Sequence, residues 1–273
     1  MKKKTLVSAL IAAHNEEAHV SNCANSLLNQ SYKDIEILII ENGDSRDKTF
    51  EIAKEFENKY KNVKAFSIPG KQRGPGNAWN LGIKKAKGEI IMICGADLIY
   101  GKDYIKEGIK TIIEGKNNGI VHIEEKCNNL NNLWARAFFK QRPSFDETGL
   151  SRVFTLVRKD YLESRPFNPD LGYADDQTIF RTEGTRFPTV NLEVYHTNPA
   201  SFKDTWDHSV WVAKSIKNKM LIILMLPIFP IYSIYKTIKH LRKDFYSPFI
   251  YFLPFYYSVK YFAYFKEAVK SYL

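Results

Sequence analysis

Within the first hundred residues, four short apolar runs alternate with segments of helical spacing. The runs are Leu6–Ala12, Ile35–Ile40, Val63–Ile68 and Ile90–Cys94. Each is bounded by polar residues, which reads as a buried strand. Between them, Glu16–Asn29 (with Asn15 as its cap), Thr49–Tyr60 and Ala78–Lys87 carry apolar residues at helical intervals. Every intervening stretch is long enough for a crossover. The pattern therefore predicts an α/β fold, a mostly parallel sheet with helices on both faces.

Sheets of this kind bind ligands beyond the carboxyl ends of their strands. That edge collects Ala13–Glu17, Glu41–Asp47, Lys71–Asn77 and Gly95–Leu98. A nucleotide would find acceptors for base and ribose at Glu41-Asn42-Gly43. It would find cations for phosphate at Lys71 and Arg73, in a glycine- and proline-rich loop that opens a helix. The fourth run, GEIIMICGADLIYG (Gly88–Gly101), ends in a single acid, Asp97, where a metal-bound phosphate more often meets two. Farther on, LGYADDQTIFR (Leu171–Arg181) sets Asp175 and Asp176 before a helix-like run. Such acids serve either a helix dipole or general-base chemistry at an acceptor hydroxyl. Spacing leaves both readings open.

After Asn128 the alternation weakens. Arg152–Arg158 and Thr189–Val194 read as strands and Pro143–Gly149 as a mobile loop. The boundary falls near Thr197, giving domains 1–197 and 198–273. MKKKTLVSALIAA imitates a signal peptide, but HNEE follows at once, so the segment reads as the first strand. Cys23, Cys94 and Cys127 have no metal-type spacing and suggest no disulfide framework, which fits a reducing compartment.

The net charge of +10 is uneven, with 11 Lys/Arg against 4 Asp/Glu from Ser201 to Leu273. Met220–Tyr235 is uncharged and Phe245–Phe265 is mostly aromatic, a setting for membrane rather than nucleic acid. The first stretch is short for a span of roughly 20 residues. Pro227, Pro230, Pro248, Pro254 and Lys260 interrupt the two. A hairpin would also place Lys236, Lys239, Arg242 and Lys243 on the far side from the N-terminal domain, against the positive-inside tendency. The expectation is a peripheral or monotopic region lying on the cytoplasmic face of the cell membrane. An extra helical layer on the core or in an oligomer is the alternative.

Four segments carry a resemblance. IAAHNEE (Ile11–Glu17) resembles a P-x-x-N-E-E opening, and IENGDSRDKT (Ile40–Thr49) a D-D-G-S-x-D-x-T turn. RGPGNAWNLGIKKAKGEIIMICGADL (Arg73–Leu98) is similar to a block running from G-x-x-x-A-R-N-x-G to D-x-D. RPFNPDLGYADDQTIF (Arg165–Phe180) resembles a G-F-D-E…E-D segment. In this order the chain resembles the inverting family-2 glycosyltransferases, whose nucleotide-binding fold is of GT-A type. The resemblance implies a UDP- or GDP-sugar donor held by Ala13, His14, Asn15, Glu17, Glu41, Arg73 and Asp97. It implies Mg²⁺ or Mn²⁺ at Asp97; His196 of VYHTNP reads either as a further ligand or, the commoner case, as a satisfied structural histidine. It also implies Asp176 as catalytic base with Asp175 beside it, and membrane attachment through the tail would suit a lipid-linked or glycan acceptor. Alanine replaces the opening proline, Glu41-Asn42 the paired acids, and Gly95 the first acid of D-x-D, which implies weak metal affinity. No Q-x-x-R-W segment follows Asp176, which argues against a processive synthase. Gly95 leaves a non-catalytic nucleotide-sugar-binding scaffold subunit as the competing reading. A nucleotidyltransferase would want a glycine-rich, lysine-containing signature near the first strand, where HNEEAHV stands.

Overall fold

The computed structural model describes residues 5–70, 75–122, 125–140, 155–171, 178–179 and 187–273. Arg73, Asp175, Asp176 and the Pro143–Gly149 loop lie outside the described residues. The chain forms two compact units, Met1–Lys126 with Phe145–His196 and Cys127–Ser144 with Thr197–Leu273.

The first unit is mixed α/β. Its strands are β1 (Val7–Ala13), β2 (Ile35–Glu41), β3 (Val63–Ser67), β4 (Ile90–Gly95), β5 (Leu98–Tyr100), β6 (Gly119–His122), β7 (Lys126–Cys127), β8 (Leu156–Arg158), β9 (Thr189–Val190) and β10 (Val194–His196). Seven of them make one sheet in the order β3-β2-β1-β4-β8-β6-β9. The β3-β2-β1-β4 portion is parallel, and β8 runs antiparallel to β4 and β6. The helices α1 (Val20–Leu28), α2 (Thr49–Lys59), α3 (Gly76–Lys85) and α4 (Tyr104–Glu114) cover it.

Strand alternation decides which helix covers which face. Val7, Ala9 and Ile11 of β1 join Ile37, Ile39 and Met92 in a core with Cys23 and Leu27 of α1 and Ile105 and Ile109 of α4. On the opposite face Leu10, Leu38, Ile40 and Ile91 pack with Trp79 and Ile83 of α3. Both faces of β1, β2 and β4 are apolar, as a doubly covered parallel sheet requires.

Two expected boundaries shift for physical reasons. Helix α1 begins at Val20 rather than Glu16, because Asn15, Glu16 and Glu17 are drawn into hydrogen bonds with the loop after β2 and the first residue of α2. Asn15 takes a left-handed backbone (φ 56°) and caps nothing. The expected strand Thr189–Val194 is two strands. β9 pairs with β6 in the main sheet, and β10 leaves to pair antiparallel with β5.

The second unit is helical among its described residues apart from Cys127 of β7. Its elements are α5 (Leu133–Lys140), α7 (Phe202–Lys214), α8 (Met220–Leu224), α9 (Phe229–Lys243) and α10 (Phe249–Lys270), with the short α6 (Lys159–Glu163) belonging to the first unit. Ser201 caps α7, its Oγ accepting from the Asp204 N–H at 3.1 Å. Ala137 of α5 packs with Phe249, Leu253, Tyr256 and Tyr257 of α10. Helix α5, which lies ahead of the boundary expected near Thr197, thus packs among these helices. Among the described residues no helix is long and apolar enough to cross a membrane.

Candidate functional site

The register of the parallel strands lines up the expected site. Ser67 pairs with Glu41, Glu41 with Ala13, and Ala12 with Gly95, so β3, β2, β1 and β4 end in one row. The loops leaving that row carry His14, Asn15, Glu17 and Asp97.

The loops after β1 and β2 are tied together by side chains. The Asn15 N–H donates to Ser45 Oγ at 3.1 Å, and Asn15 Oδ1 accepts from the Arg46 N–H at 2.8 Å. The Glu17 N–H donates to Asp47 Oδ2 at 3.0 Å, and Glu17 Oε2 accepts from the Lys48 N–H at 3.0 Å. Asn15 and Glu17 therefore hold the shape of the rim. The tight turn Gly43-Asp44, with φ of 73° and 51°, brings the second loop back. Glycine adopts the first of these at little steric cost.

Glu41 sits at the base of the rim, 4% exposed. Its Oε2 accepts from Ser67 Oγ at 2.6 Å and its Oε1 from the Ser45 N–H at 2.9 Å. Burial alone would raise its pKa. The Ser67 and Ser45 donors, with His14 adding a smaller effect, outweigh burial and leave it below the usual carboxylate range. A fixed anion results, each oxygen of which retains acceptor capacity.

Asp97 follows β4 by two residues, and β10 returns His196 to it. In the β5–β10 ladder His196 pairs with Leu98, and its Nε2 lies 2.7 Å from Asp97 Oδ2. Burial pushes the Asp97 carboxyl up, but the His196 charge and hydrogen bond prevail and hold it below its ordinary value. On the other ring nitrogen, Nδ1, Glu125 Oε2 stands at 3.1 Å. The chain continues through Glu125 Oε1 to His122 Nε2 at 3.3 Å and from His122 Nδ1 to the Tyr104 hydroxyl at 2.8 Å. Glu16 is pushed up to about 8 by burial, with Asp97 and Asp47 adding to the rise and His196 opposing it.

Gly95 has a local explanation. A Cβ built there would lie 2.8 Å from Asp97 Oδ1. The Asp97 carboxylate folds back over the strand into room that a side chain at 95 would fill.

A divalent ion of the implied kind would have to draw on this donor set. Among the described residues no group of three or more His, Cys, Asp or Glu is arranged to hold a metal. Asp97 and His196 are two such donors, 2.7 Å apart, with the second histidine nitrogen facing Glu125. A carboxylate behind a ligating histidine fixes which nitrogen faces the metal. Two protein ligands suit an ion that completes its shell with phosphate oxygens and water. The residues fit the group.

The structure thus brings together Ala13, His14, Asn15, Glu17, Glu41, Asp97 and His196 at one edge, while Arg73, Asp175 and Asp176 fall outside the described residues. Glu16 lies in the expected Ala13–Glu17 stretch without a role of its own, and Glu125, His122 and Tyr104 were not anticipated. Glu125 stands 71 residues from His196, and no short spacing could announce that pairing.

Residues 8–167, more than half of the chain, match glycosyl transferase family 2. The chain belongs to that family. An uncharacterized glycosyltransferase of Haemophilus influenzae is 34% identical over 109 residues, covering 40% of this chain and 43% of the relative. A dolichyl N-acetyl-α-D-glucosaminyl phosphate 3-β-D-2,3-diacetamido-2,3-dideoxy-β-D-glucuronosyltransferase of Methanococcus voltae is 35% identical over 109 residues, 38% of this chain and 33% of the relative. The chain thus spans less than half the length of these curated relatives. In fold it is similar to Staphylococcus aureus TarS 1-349 in complex with UDP-GlcNAc (TM-score 0.59, 15% identity, 98% of this chain and 91% of that one). It is likewise similar to the mannosyltransferase PcManGT of Pyrobaculum calidifontis in complex with GDP-Man and Mn²⁺ (TM-score 0.60, 13% identity, 96% and 88%). The family's GT-A type fold is the one described above.

Proposed function

We propose that the chain is an inverting hexosyltransferase that moves a sugar from a UDP- or GDP-sugar to a lipid-linked or glycan acceptor with the help of Mg²⁺ or Mn²⁺. The observation that carries the reading is the Asp97–His196 pair on the same carboxyl edge of the sheet as Glu41, in a chain of family 2. The donor class is supported by structural neighbours that hold UDP-GlcNAc and GDP-Man. A lipid-linked acceptor is supported by the dolichyl phosphate in the name of the Methanococcus relative.

Each residue has a part in this reading. Glu41, fixed and ionised, accepts hydrogen bonds from the nucleotide base or ribose, and His14 lies beside it at the rim. Asp97 and His196 hold the ion, which when bound stabilises charge on the departing diphosphate. Arg73 meets the donor phosphates. Asp176, with Asp175 before it, takes the proton of the acceptor hydroxyl as that oxygen attacks the anomeric carbon. The bond from that carbon to the diphosphate breaks on the opposite side, so configuration inverts.

Gly95 favours the scaffold-subunit reading, since it replaces one acid, but the room it gives Asp97 Oδ1 speaks for a site rebuilt around one carboxylate. The test is a screen of UDP- and GDP-sugars with Mg²⁺ or Mn²⁺ over lipid-linked and glycan acceptors. Transfer with one donor, abolished in Asp176→Asn while nucleotide binding persists, is the expected result. Binding without transfer or hydrolysis across the screen would favour the scaffold reading. Undiminished transfer in Asp176→Asn would remove that residue as base.

A further inference from the structure

Helix α9 is inside out. Beyond the buried Phe229 of its first turn, Ser233, Thr237 and His240 are buried, while Ile231, Ile234 and Ile238 are 69%, 59% and 48% exposed. At 3.6 residues per turn the exposed isoleucines share one face, opposite the polar one. The inward polar groups are accommodated by local bonds. Thr237 Oγ1 donates to the Ser233 carbonyl at 2.9 Å, and His240 Nδ1 lies 3.0 Å from the Tyr257 hydroxyl on α10. The outward apolar face has no such explanation within the unit. In α8 and the turn after it, immediately before α9 in the chain, Leu221, Leu224 and Ile228 are also more than half exposed. Exposed apolar side chains gathered on successive elements mark a contact site.

The charges select the occupant. From residue 208 to residue 243 the chain carries seven Lys/Arg and no Asp/Glu. Lys236, Lys239 and Lys243 recur at i, i+3 and i+7 along one side of α9, centred about 140° round the helix from the isoleucines, with exposed Arg242 and Tyr235 on the arc between; Lys239 and Lys243 are exposed. An apolar face with lysines farther round, on helices none of which can span a bilayer, is the form of a helix lying in a lipid interface. A second copy fits less well, because a two-fold contact would bring two acid-free basic flanks together.

We propose that α8 and α9 form a docking surface for an anionic lipid bilayer, with the isoleucine face seated at the headgroup boundary and the lysine flank on lipid phosphates. The inference does not depend on the transfer reaction. It is tested with the full chain by co-flotation with phosphatidylcholine vesicles, with and without phosphatidylglycerol. The expected result is partition onto the anionic vesicles that weakens as salt rises. Ile234→Ser with Ile238→Ser should lower partition by about tenfold or more. Lys236→Gln with Lys239→Gln and Lys243→Gln should lower it on anionic vesicles alone, by about fivefold per lysine and on the order of a hundredfold together. The lysine set provides a second route should the isoleucine variant fail to fold, and a thermal melt of each variant distinguishes lost binding from lost structure. Absence of wild-type partition onto anionic vesicles would overturn the proposal, as would equal partition onto neutral ones. So would a stable dimer by sedimentation that the isoleucine variant dissociates, since the face would then belong to a second copy.

Discussion

Replacing Gly95 with alanine puts the reading of the Asp97 site to a quantitative test. The new Cβ would lie 2.8 Å from Asp97 Oδ1, closer than real Cβ contacts come. Asp97 is the movable partner, because its side chain is 34% exposed and can swing toward solvent. Swinging breaks the 2.7 Å bond to His196. A charge-assisted bond of this kind contributes about 1.5–3 kcal/mol, and partial exposure argues for the lower end. Against this, alanine in a strand is worth about 0.5–1 kcal/mol over glycine, through the unfolded chain. The bond wins, leaving a net loss of about 0.5–2 kcal/mol and a fall in Tm of about 1–8 °C for a chain of this size. The same substitution in an Asp97→Ala background meets no carboxylate, so only the glycine effect remains and the sign reverses to a gain of about 0.5–1 kcal/mol. The assay is urea unfolding of the four proteins of the cycle, with Mn²⁺ affinity in the presence of nucleotide as a second readout. A neutral Gly95→Ala, or an equal cost in both backgrounds, would refute the claim that Gly95 is there to accommodate Asp97.

Two further expectations concern the second unit. Burial holds His240 down at about 4, with Lys243, Arg136 and Lys140 adding to the depression and Asp244 opposing it. Its unfolded value lies near 6.5. The unfolded chain therefore binds more protons between those values, and stability rises with pH across that window and levels off above about 7. This contributes about 3 kcal/mol between pH 4 and pH 7; urea titrations across the range should show the slope flattened in His240→Gln, and an unchanged slope would remove His240 as its source. Arg136 grips Asp244 with two bonds, Nε to Oδ2 and Nη2 to Oδ1, both 2.6 Å, and its guanidinium stands 4.3 Å from the centre of the Tyr246 ring. Asp244→Asn should cost about 1.5–3 kcal/mol. Arg136→Lys should recover little of the pair because lysine lacks the fork, and a coupling energy near zero in the double-mutant cycle would make the pair an ordinary surface contact.

The sequence discloses the central sheet because burial on both faces leaves few strand residues free to be polar. Each of β1, β2 and β4 is an apolar run ending at a polar rim, and the fourfold alternation leaves little choice but parallel pairing. What lies between residues distant in sequence is far less visible. Helix α1 starts four residues later than its apolar spacing suggests, because Asn15, Glu16 and Glu17 bond to partners about thirty residues on. The site divides along the same line. Glu41 and Asp97 are legible because they stand at or just beyond the carboxyl ends of strands whose direction is known. His196 reaches Asp97 only because β10 leaves the main sheet to pair with β5, and Glu125 reaches His196 from a segment with no periodicity.

The basic, aromatic C-terminal region shows a different limit, since composition suggests an interface without saying which side chains would face it. Hydrophobic content alone assigns α9 an apolar character all round its first turns, and in a water-soluble core its isoleucines would point inward. The fold turns Ser233, Thr237 and His240 inward instead. Burying three polar groups while exposing three isoleucines forgoes several kcal/mol of apolar burial at roughly 25 cal/mol per Å². A sequence retaining that arrangement gains only where the outward face leaves water for some other apolar phase. That is why the orientation of α9, rather than its composition, carries the argument for a lipid surface.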